Sequence, residues 1–225
     1  NGVLSMKYDV IIIGAGPGGI FTAYELVQQE KQLKIAVFES GHALNMRRCP
    51  IDGDKVKSCV HCSTCSIMSG FGGAGAFSDG KYNITNDFGG TLYEYVGRKQ
   101  AIDLMKYVDE INMKYGGEGT LSLLDASVRH LGTDINYIVL ENLYADLKDK
   151  VDFYFDTPVK TVENQGGSYL VVCEEKTFEC DRCVVSVGRS GSKWMEQVCR
   201  ELEIQTKSNR VDIGVRVELP AVIFS

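Results

Sequence analysis

The sequence lacks the long apolar runs and the one-sided charge that mark membrane-spanning and nucleic-acid-binding proteins. None of its apolar stretches approaches the roughly 20 residues that a transmembrane helix needs. The formal net charge is -6 with no long run of one sign, so no nucleic acid and no anionic membrane is predicted as a partner. The hydrophobic content of 44% is that of a globular protein. We therefore expect a partner that is a small-molecule substrate or an electron carrier.

Cysteine, in contrast, is abundant, with eight residues of this type. The apolar stretch at residues 10–13 is short, is preceded by Asp9 and ends in glycine, so it does not resemble a secretory signal. We therefore expect a cytoplasmic protein whose cysteines are thiols or metal ligands rather than disulfides.

The first forty residues have the pattern of a βαβ unit. Residues 8–13 are a β-branched run stopped by glycines, residues 19–29 have apolar side chains at helical spacing, and residues 34–38 form a second short strand. A dinucleotide-binding motif, G-x-G-x-x-G, lies between the first strand and the helix. Its residues are Gly14, Ala15, Gly16, Pro17, Gly18 and Gly19.

Each glycine of this motif has a predicted physical role. Gly14 permits a sharp turn, Gly16 lets the backbone approach a pyrophosphate, and Gly19 lets the helix pack closely on the strand. Glu39 ends the second strand, where a carboxylate can accept hydrogen bonds from ribose hydroxyls, and Ser40 follows it in the predicted site. Because Glu39 would repel a 2′-phosphate, NADP is disfavoured at this site.

The rest of the chain predicts further alternating elements around a long connection. Residues 40–86 are rich in Cys, Gly, Ser and Asp and are too long for an ordinary loop. The predicted helices beyond them are 91–115, weakened by Gly97, then 134–150 and 193–202. The predicted strands are 151–155, then a meander of 160–163, 169–173 and 177–179, and finally 183–187.

These motifs resemble the glutathione-reductase-like superfamily of FAD proteins. The match covers residues 8–19 with Glu39, and a second match is the strand-turn at residues 184–191, which contains Gly188. A closer resemblance is to bacterial FAD-dependent, or NAD(FAD)-utilising, dehydrogenases, whose hallmark is similar to residues 70–81. The resemblance implies FAD as cofactor, NAD(P)H as a candidate electron donor or acceptor, Gly188 near the flavin, and Val159 beside the adenine.

The resemblance also implies the domain organisation. We expect an α/β fold with a Rossmann-like FAD-binding domain, made of a parallel sheet plus a β-meander, at residues 6–90 and 133–205. Residues 91–132 would be a helical insertion, and 206–225 the start of a second domain. The family's C-terminal flavin motif is not found, so the chain is expected to be an N-terminal portion of a longer two-domain flavoprotein.

The glycine-rich residues 70–81 are expected to face the flavin. Closely spaced glycines allow backbone N–H groups to converge on an anion or on flavin carbonyls. The predicted contacts are Gly73, Ala74, Gly75, Ser78, Asp79 and Lys81. Lys81 would lie near the N1–C2 edge, where a cation stabilises a reduced flavin. The alternative interpretation is a solvated glycine loop.

Cys49, Cys59, Cys62 and Cys65 form a second candidate site. Their C-x2-C-x2-C core is typical of iron–sulfur ligation, zinc fits the same spacing, and a redox dithiol or inert thiols are the further alternatives. Cys173, Cys180, Cys183 and Cys199 are expected to be core residues. Arg47 and Arg48 are interpreted as an exposed loop pair rather than as ligands of the pyrophosphate.

The predicted function is thus FAD-dependent oxidoreduction of an unidentified substrate, and the catalytic residues stay unknown. Two alternatives are kept. One is an NAD-dependent dehydrogenase that uses the first site for NAD, and the other is a non-catalytic FAD-binding protein that acts as a structural or sensing partner.

Overall fold

The computed structural model describes residues 6–29, 32–78, 81–87, 90–116, 128–130, 133–208 and 214. Its helices are α1 (Pro17–Gln29), α2 (Leu92–Val96), α3 (Arg98–Gly116), α4 (Thr133–Leu147) and α5 (Ser192–Glu201). Its strands are β1 (Met6–Ile13), β2 (Ile35–Phe38), β3 (Lys81–Asn83), β4 (Val128–His130), β5 (Asp152–Tyr154), β6 (Thr161–Asn164), β7 (Tyr169–Val172) and β8 (Thr177–Val185). The predicted α/β class is confirmed.

A six-stranded sheet in the order β5-β2-β1-β8-β7-β6 forms the centre of the fold. Strands β5, β2, β1 and β8 run parallel, and β7 and β6 continue the sheet antiparallel, as the meander predicts. β3 and β4 pair separately as an antiparallel ribbon. Ile12 of β1 lies opposite Val37 of β2 and Val184 of β8, so the carboxyl ends of these three strands meet at one edge.

Hydrophobic side chains cover both faces of this sheet. On one face, the core joins Ile12 and Val37 to the helices α1 and α4, through residues such as Ile20 and Leu143. On the other face, a second cluster joins Ile11 and Phe38 to the meander and α5. Burial of both faces explains why β1 and β2 are nearly continuous apolar runs rather than alternating ones.

The prediction of two separate strands at 177–179 and 183–187 is wrong. The structure has one strand, Thr177–Val185, which pairs antiparallel with β7 and parallel with β1. Asp181 and Arg182 lie in its middle, in the gap between the two predicted strands. In the folded chain, Lys7 Nζ of the neighbouring strand β1 lies 3.1 Å from Asp181 Oδ1. The Asp181 carboxylate is therefore accommodated within the strand by an ion pair. Asp181 and Glu179 together raise the pKa of Lys7.

The predicted helix at 91–115 is two helices, because the chain breaks at Gly97. This residue has φ 84° and ψ 153°, a conformation that essentially only glycine adopts. α3 then continues to Gly116, one residue beyond the predicted end. α3 packs on α4, where Tyr115 Oη donates a hydrogen bond of 2.8 Å to Asp146 Oδ2.

Much of the predicted domain division falls outside the described ranges. These exclude 117–127 and 131–132 of the expected insertion, and 209–213 and 215–225 of the expected second domain. The division into domains therefore stays an interpretation. Among the helices that the structure describes, none combines the length and the apolar character needed to cross a bilayer.

Candidate nucleotide-binding cleft

The glycine turn after β1 is fixed by close backbone contacts. Gly14 has φ +103°, and a Cβ on it would lie 2.4 Å from the carbonyl oxygen of Ser186. A Cβ on Gly19 would lie 1.8 Å from the carbonyl oxygen of Gly14. Both contacts are closer than any real Cβ tolerates, so the turn and the packing of α1 against it require glycine at these two positions.

Gly16 differs from these two glycines, because the fold itself leaves room for a side chain. A Cβ on Gly16 would have Gly73 Cα, 3.9 Å away, as its nearest neighbour. α1 begins at the next residue, Pro17, a favoured residue for the first helical position. Its N-terminal backbone N–H groups and the helix dipole favour an anion there. Gly16 therefore keeps open a space at a helix N-terminus.

This space belongs to a cleft of about 790 Å³, within the usual range for small-molecule sites. The ends of β1, β2 and β8, the start of α1 and two loops form its walls. The predicted cofactor residues that line it are Gly14, Gly16, Pro17, Gly18, Glu39, Ser40, Gly73, Ala74, Gly75, Val159 and Gly188. The cleft thus gathers residues from five separate stretches of the chain.

Glu39 is buried in the floor of this cleft, with 7% of its surface exposed. Its Oε2 accepts the N–H of Ala15 at 2.8 Å, and its Oε1 accepts those of Gly41 at 2.8 Å and Gly70 at 3.0 Å. The carboxylate therefore connects the glycine turn, the end of β2 and the glycine-rich loop. Sequence spacing predicts Glu39 as a ribose ligand but does not reveal this bracing role.

Arg47 is hydrogen-bonded to the backbone of the glycine-rich loop. The interpretation of Arg47 as an exposed loop residue is wrong. It is only 4% exposed. Its Nε donates to Ser66 O at 2.8 Å, its Nη2 to Ile67 O at 2.8 Å, and its Nη1 to Phe71 O at 2.7 Å and Gly73 O at 2.8 Å. Burial lowers the pKa of Arg47, and the nearby carboxylate of Glu39 acts in the opposite direction. Four carbonyl acceptors thus satisfy a buried guanidinium.

The same loop is anchored to the core by Phe71. This side chain is fully buried, and its ring centroid lies 5.2 Å from that of Tyr144 in α4 and 5.8 Å from that of Phe153 in β5. The N–H of Gly72 donates to Ala15 O at 2.8 Å. Phe71, Arg47 and Glu39 therefore fix the glycine-rich loop against the dinucleotide motif.

The four cysteines of the second candidate site differ in whether they line the cleft. All four are free and exposed. Cys62 and Cys65 line the cleft, whereas Cys49 and Cys59 are absent from its lining. Across the described part of the chain, no three His, Cys, Asp or Glu side chains are arranged to hold a metal ion. The metal site stays a prediction.

The other four cysteines lie in the sheet and α5. Cys173, Cys180 and Cys199 are buried and Cys183 is half-buried, as expected of core residues. Burial raises the pKa of the Cys173 thiol to about 11, which makes it a poor nucleophile at neutral pH.

The remaining predicted site residues lie elsewhere. Ala15 and Gly19 are buried in the turn, and Ser78 is exposed, its Oγ donating to Gly75 O at 2.8 Å. Asp79 is outside the described residues. Lys81 lies in β3, and only its backbone, which pairs with that of His130 in β4, is described.

Several cleft residues were missed by sequence reasoning. They are Thr64, Thr157, Ser186, Arg189 and Trp194. Ser186 had a detectable signal, since it lies in the strand-turn that resembles the flavoproteins. The Oγ of Ser186 is so near Gly18 that a Cβ there would lie 2.4 Å from it. The others reach the cleft only through tertiary packing.

Comparison with known proteins gives one family match. A model described as an NAD(P)-binding Rossmann-like domain matches residues 12–70. No curated protein matches the sequence.

Solved structures show similar folds at low identity. Glycine oxidase from Geobacillus kaustophilus is 12% identical, with 88% of this chain and 59% of that chain covered and a TM-score of 0.48. L-amino acid deaminase from Proteus vulgaris is 16% identical, with coverage of 90% and 51% and a TM-score of 0.48. Thioredoxin reductase from T. acidophilum is 9% identical, with coverage of 82% and 36% and a TM-score of 0.40. The chain spans 59% or less of the length of each.

Proposed function

We propose that the cleft binds the ADP half of FAD and that the protein is an FAD-dependent oxidoreductase. The observation that carries this proposal is the open face of Gly16 at the N-terminus of α1. The fold itself does not need glycine at this position, since a Cβ would touch nothing closer than 3.9 Å. A ligand that approaches the backbone there accounts for the glycine, and an anionic pyrophosphate suits the helix N-terminus.

The residues around Gly16 fit the rest of an adenine dinucleotide. Glu39 would receive the adenosine ribose, because a carboxylate oxygen has lone pairs beyond those taken by the backbone N–H groups. Val159 would contact the adenine, and Gly188 and the loop Gly73–Phe77 would approach the flavin. Bound FAD supplies hydride transfer, and the chain's own residues bind it, orient it and exclude water.

The charge at Glu39 favours FAD or NAD over NADP. A 2′-phosphate on the ribose would meet a buried carboxylate, and like charges at close range oppose each other. The family match, whose description names NAD(P), keeps NAD as a second candidate for the same site. An NAD-dependent dehydrogenase would be colourless when purified, whereas an FAD protein would show the absorption of oxidised flavin.

Replacement of Gly16 by alanine tests the proposal. We expect Gly16→Ala to weaken ADP binding at least about tenfold, measured by titration calorimetry, because the new methyl group occupies the position of the phosphates. Thermal unfolding should change little, since the fold has room for this Cβ. Gly167→Ala is the matched control, because its Cβ would meet nothing within 4 Å and it lies outside the cleft lining.

The outcomes separate the proposal from its alternatives. Equal ADP affinity in Gly16→Ala, Gly167→Ala and the unmodified chain would overturn the pyrophosphate assignment. NAD binding in preference to FAD would favour the dehydrogenase alternative. Bound FAD with no turnover for any reductant or acceptor would favour a structural or sensing role.

A further inference from the structure

Two thiols of the cysteine-rich stretch face the nucleotide cleft. Cys62 and Cys65 line it, as do Ser63, Thr64, Ser69 and Gly70. Both are exposed and free. The chain bends at Ser63 and Thr64, the two residues that separate Cys62 from Cys65.

The backbone around Cys65 is fixed rather than loosely held. The carbonyl oxygen of Cys65 accepts the N–H groups of Met68 at 3.0 Å and Ser69 at 2.8 Å. The next two carbonyls, of Ser66 and Ile67, accept the Arg47 bonds described above. Cys65 is therefore held at the start of a turn that backbone hydrogen bonds and the Arg47 side chain brace.

We propose that Cys62 and Cys65 form a redox-active dithiol in the wall of the cleft. In the reaction, one thiolate attacks the sulfur of a small-molecule disulfide and releases the first thiol. The second cysteine thiolate then attacks the resulting mixed disulfide and releases the second thiol. Two S–H bonds of the protein are lost and one S–S bond forms, while the small disulfide is reduced to two thiols.

The arrangement favours this pair over the other thiols of the chain. Cys49 and Cys59 are equally exposed but do not line the cleft. Cys173, Cys180 and Cys199 are buried and Cys183 is half-buried, so a soluble disulfide reaches these four thiols less readily than the exposed ones. Cys62 and Cys65 are thus the pair with both access and a common position.

Serine variants of three neighbouring cysteines test the pairing. Cys59, Cys62 and Cys65 lie in one tryptic peptide, because no Lys or Arg occurs between Lys57 and Lys81. After incubation with oxidised glutathione and alkylation, mass spectrometry should show an internal disulfide in this peptide for the unmodified chain and for Cys59→Ser. Cys62→Ser and Cys65→Ser should carry glutathione instead.

The matched variants decide the pairing without assuming any cofactor. All three substitutions replace exposed cysteines of one segment, and thermal unfolding shows whether each variant remains folded. An internal disulfide that forms as readily in Cys62→Ser as in Cys59→Ser would overturn the proposal. Stoichiometric iron or zinc on the four cysteines of the anaerobically purified protein would overturn it as well.

A second measurement asks whether the pair lies within the ligand's reach, and this part rests on the proposed function. Saturating ADP should slow alkylation of Cys62 and Cys65 several-fold and leave Cys49 unchanged. Calorimetry on the same sample shows whether ADP is bound. If ADP binds but does not slow alkylation of Cys62 and Cys65, the pair does not lie on the side of the cleft where the ligand binds. Failure to bind ADP would count against the proposed function but would not affect the disulfide result.

Discussion

At the scale of single residues, two buried charges fix the shape of the cleft. Glu39 accepts backbone N–H groups from three segments, and Arg47 donates to the carbonyls of Phe71 and Gly73 in the glycine-rich loop. Buried charges persist when hydrogen bonds satisfy them, and removal of one member leaves the others unsatisfied. The shape of the cleft therefore depends on the Glu39 and Arg47 side chains more than on the amino-acid composition of its loops.

Replacement of Glu39 by glutamine tests this dependence. The amide has one acceptor oxygen instead of two, so an NH2 group must face the N–H of Ala15 or those of Gly41 and Gly70. We expect the free energy of unfolding in urea to fall by about 1–3 kcal/mol and FAD or ADP retention to fall with it. Glu174→Gln is the control, because that side chain is 77% exposed. An unchanged unfolding midpoint in Glu39→Gln would contradict the bracing role.

Sequence reasoning located Glu39 but not Arg47, for a physical reason. The acidic residue follows the second strand at a fixed distance from the glycine motif, so local spacing predicts it. Arg47 is buried because four carbonyls from residues 66 to 73 converge on it, and those carbonyls come together only in the folded chain. An arginine in a polar loop otherwise favours solvent.

At the scale of elements, glycine and strand pairing set where the elements begin and end. β8 stays continuous across Asp181 and Arg182 because β1 pairs along its length, whereas the sequence pattern predicted two separate strands. Such pairing between distant segments has no local sequence signal. The break at Gly97 was partly visible, since glycine weakens a helix, but its left-handed geometry was not.

Replacement of Gly97 by alanine tests the break between α2 and α3. A side chain at φ 84° and ψ 153° is strained, so we expect a loss of about 1–3 kcal/mol in the free energy of unfolding. Gly167→Ala, whose glycine does not have positive φ, should be neutral or slightly stabilising. If both variants unfold at the same urea concentration, the backbone conformation observed at position 97 does not require glycine.

At the scale of the whole molecule, the parallel sheet places the chemistry at one edge. Ligands of open α/β sheets bind beyond the carboxyl ends of the strands, and the cleft lies at the ends of β1, β2 and β8, where Ile13, Phe38 and Ser186 line it. The sequence predicts this edge because its glycine motif and Glu39 follow β1 and β2. It does not show which cysteines reach the edge, since residues 40–69 carry little periodic pattern.

The metal content of the purified protein is the corresponding test on the whole molecule. The C-x2-C-x2-C spacing favours a cluster or zinc, but the folded chain places Cys62 and Cys65 on the cleft, with Cys49 and Cys59 outside its lining. A tetrathiolate site needs all four sulfurs at one centre, so we expect neither iron nor zinc in stoichiometric amount after anaerobic purification. Elemental analysis checks this, with Cys49→Ser as the matched variant. One metal ion per chain that is lost in Cys49→Ser and Cys65→Ser alike would instead establish a shared centre and require residues 49–65 to close around it.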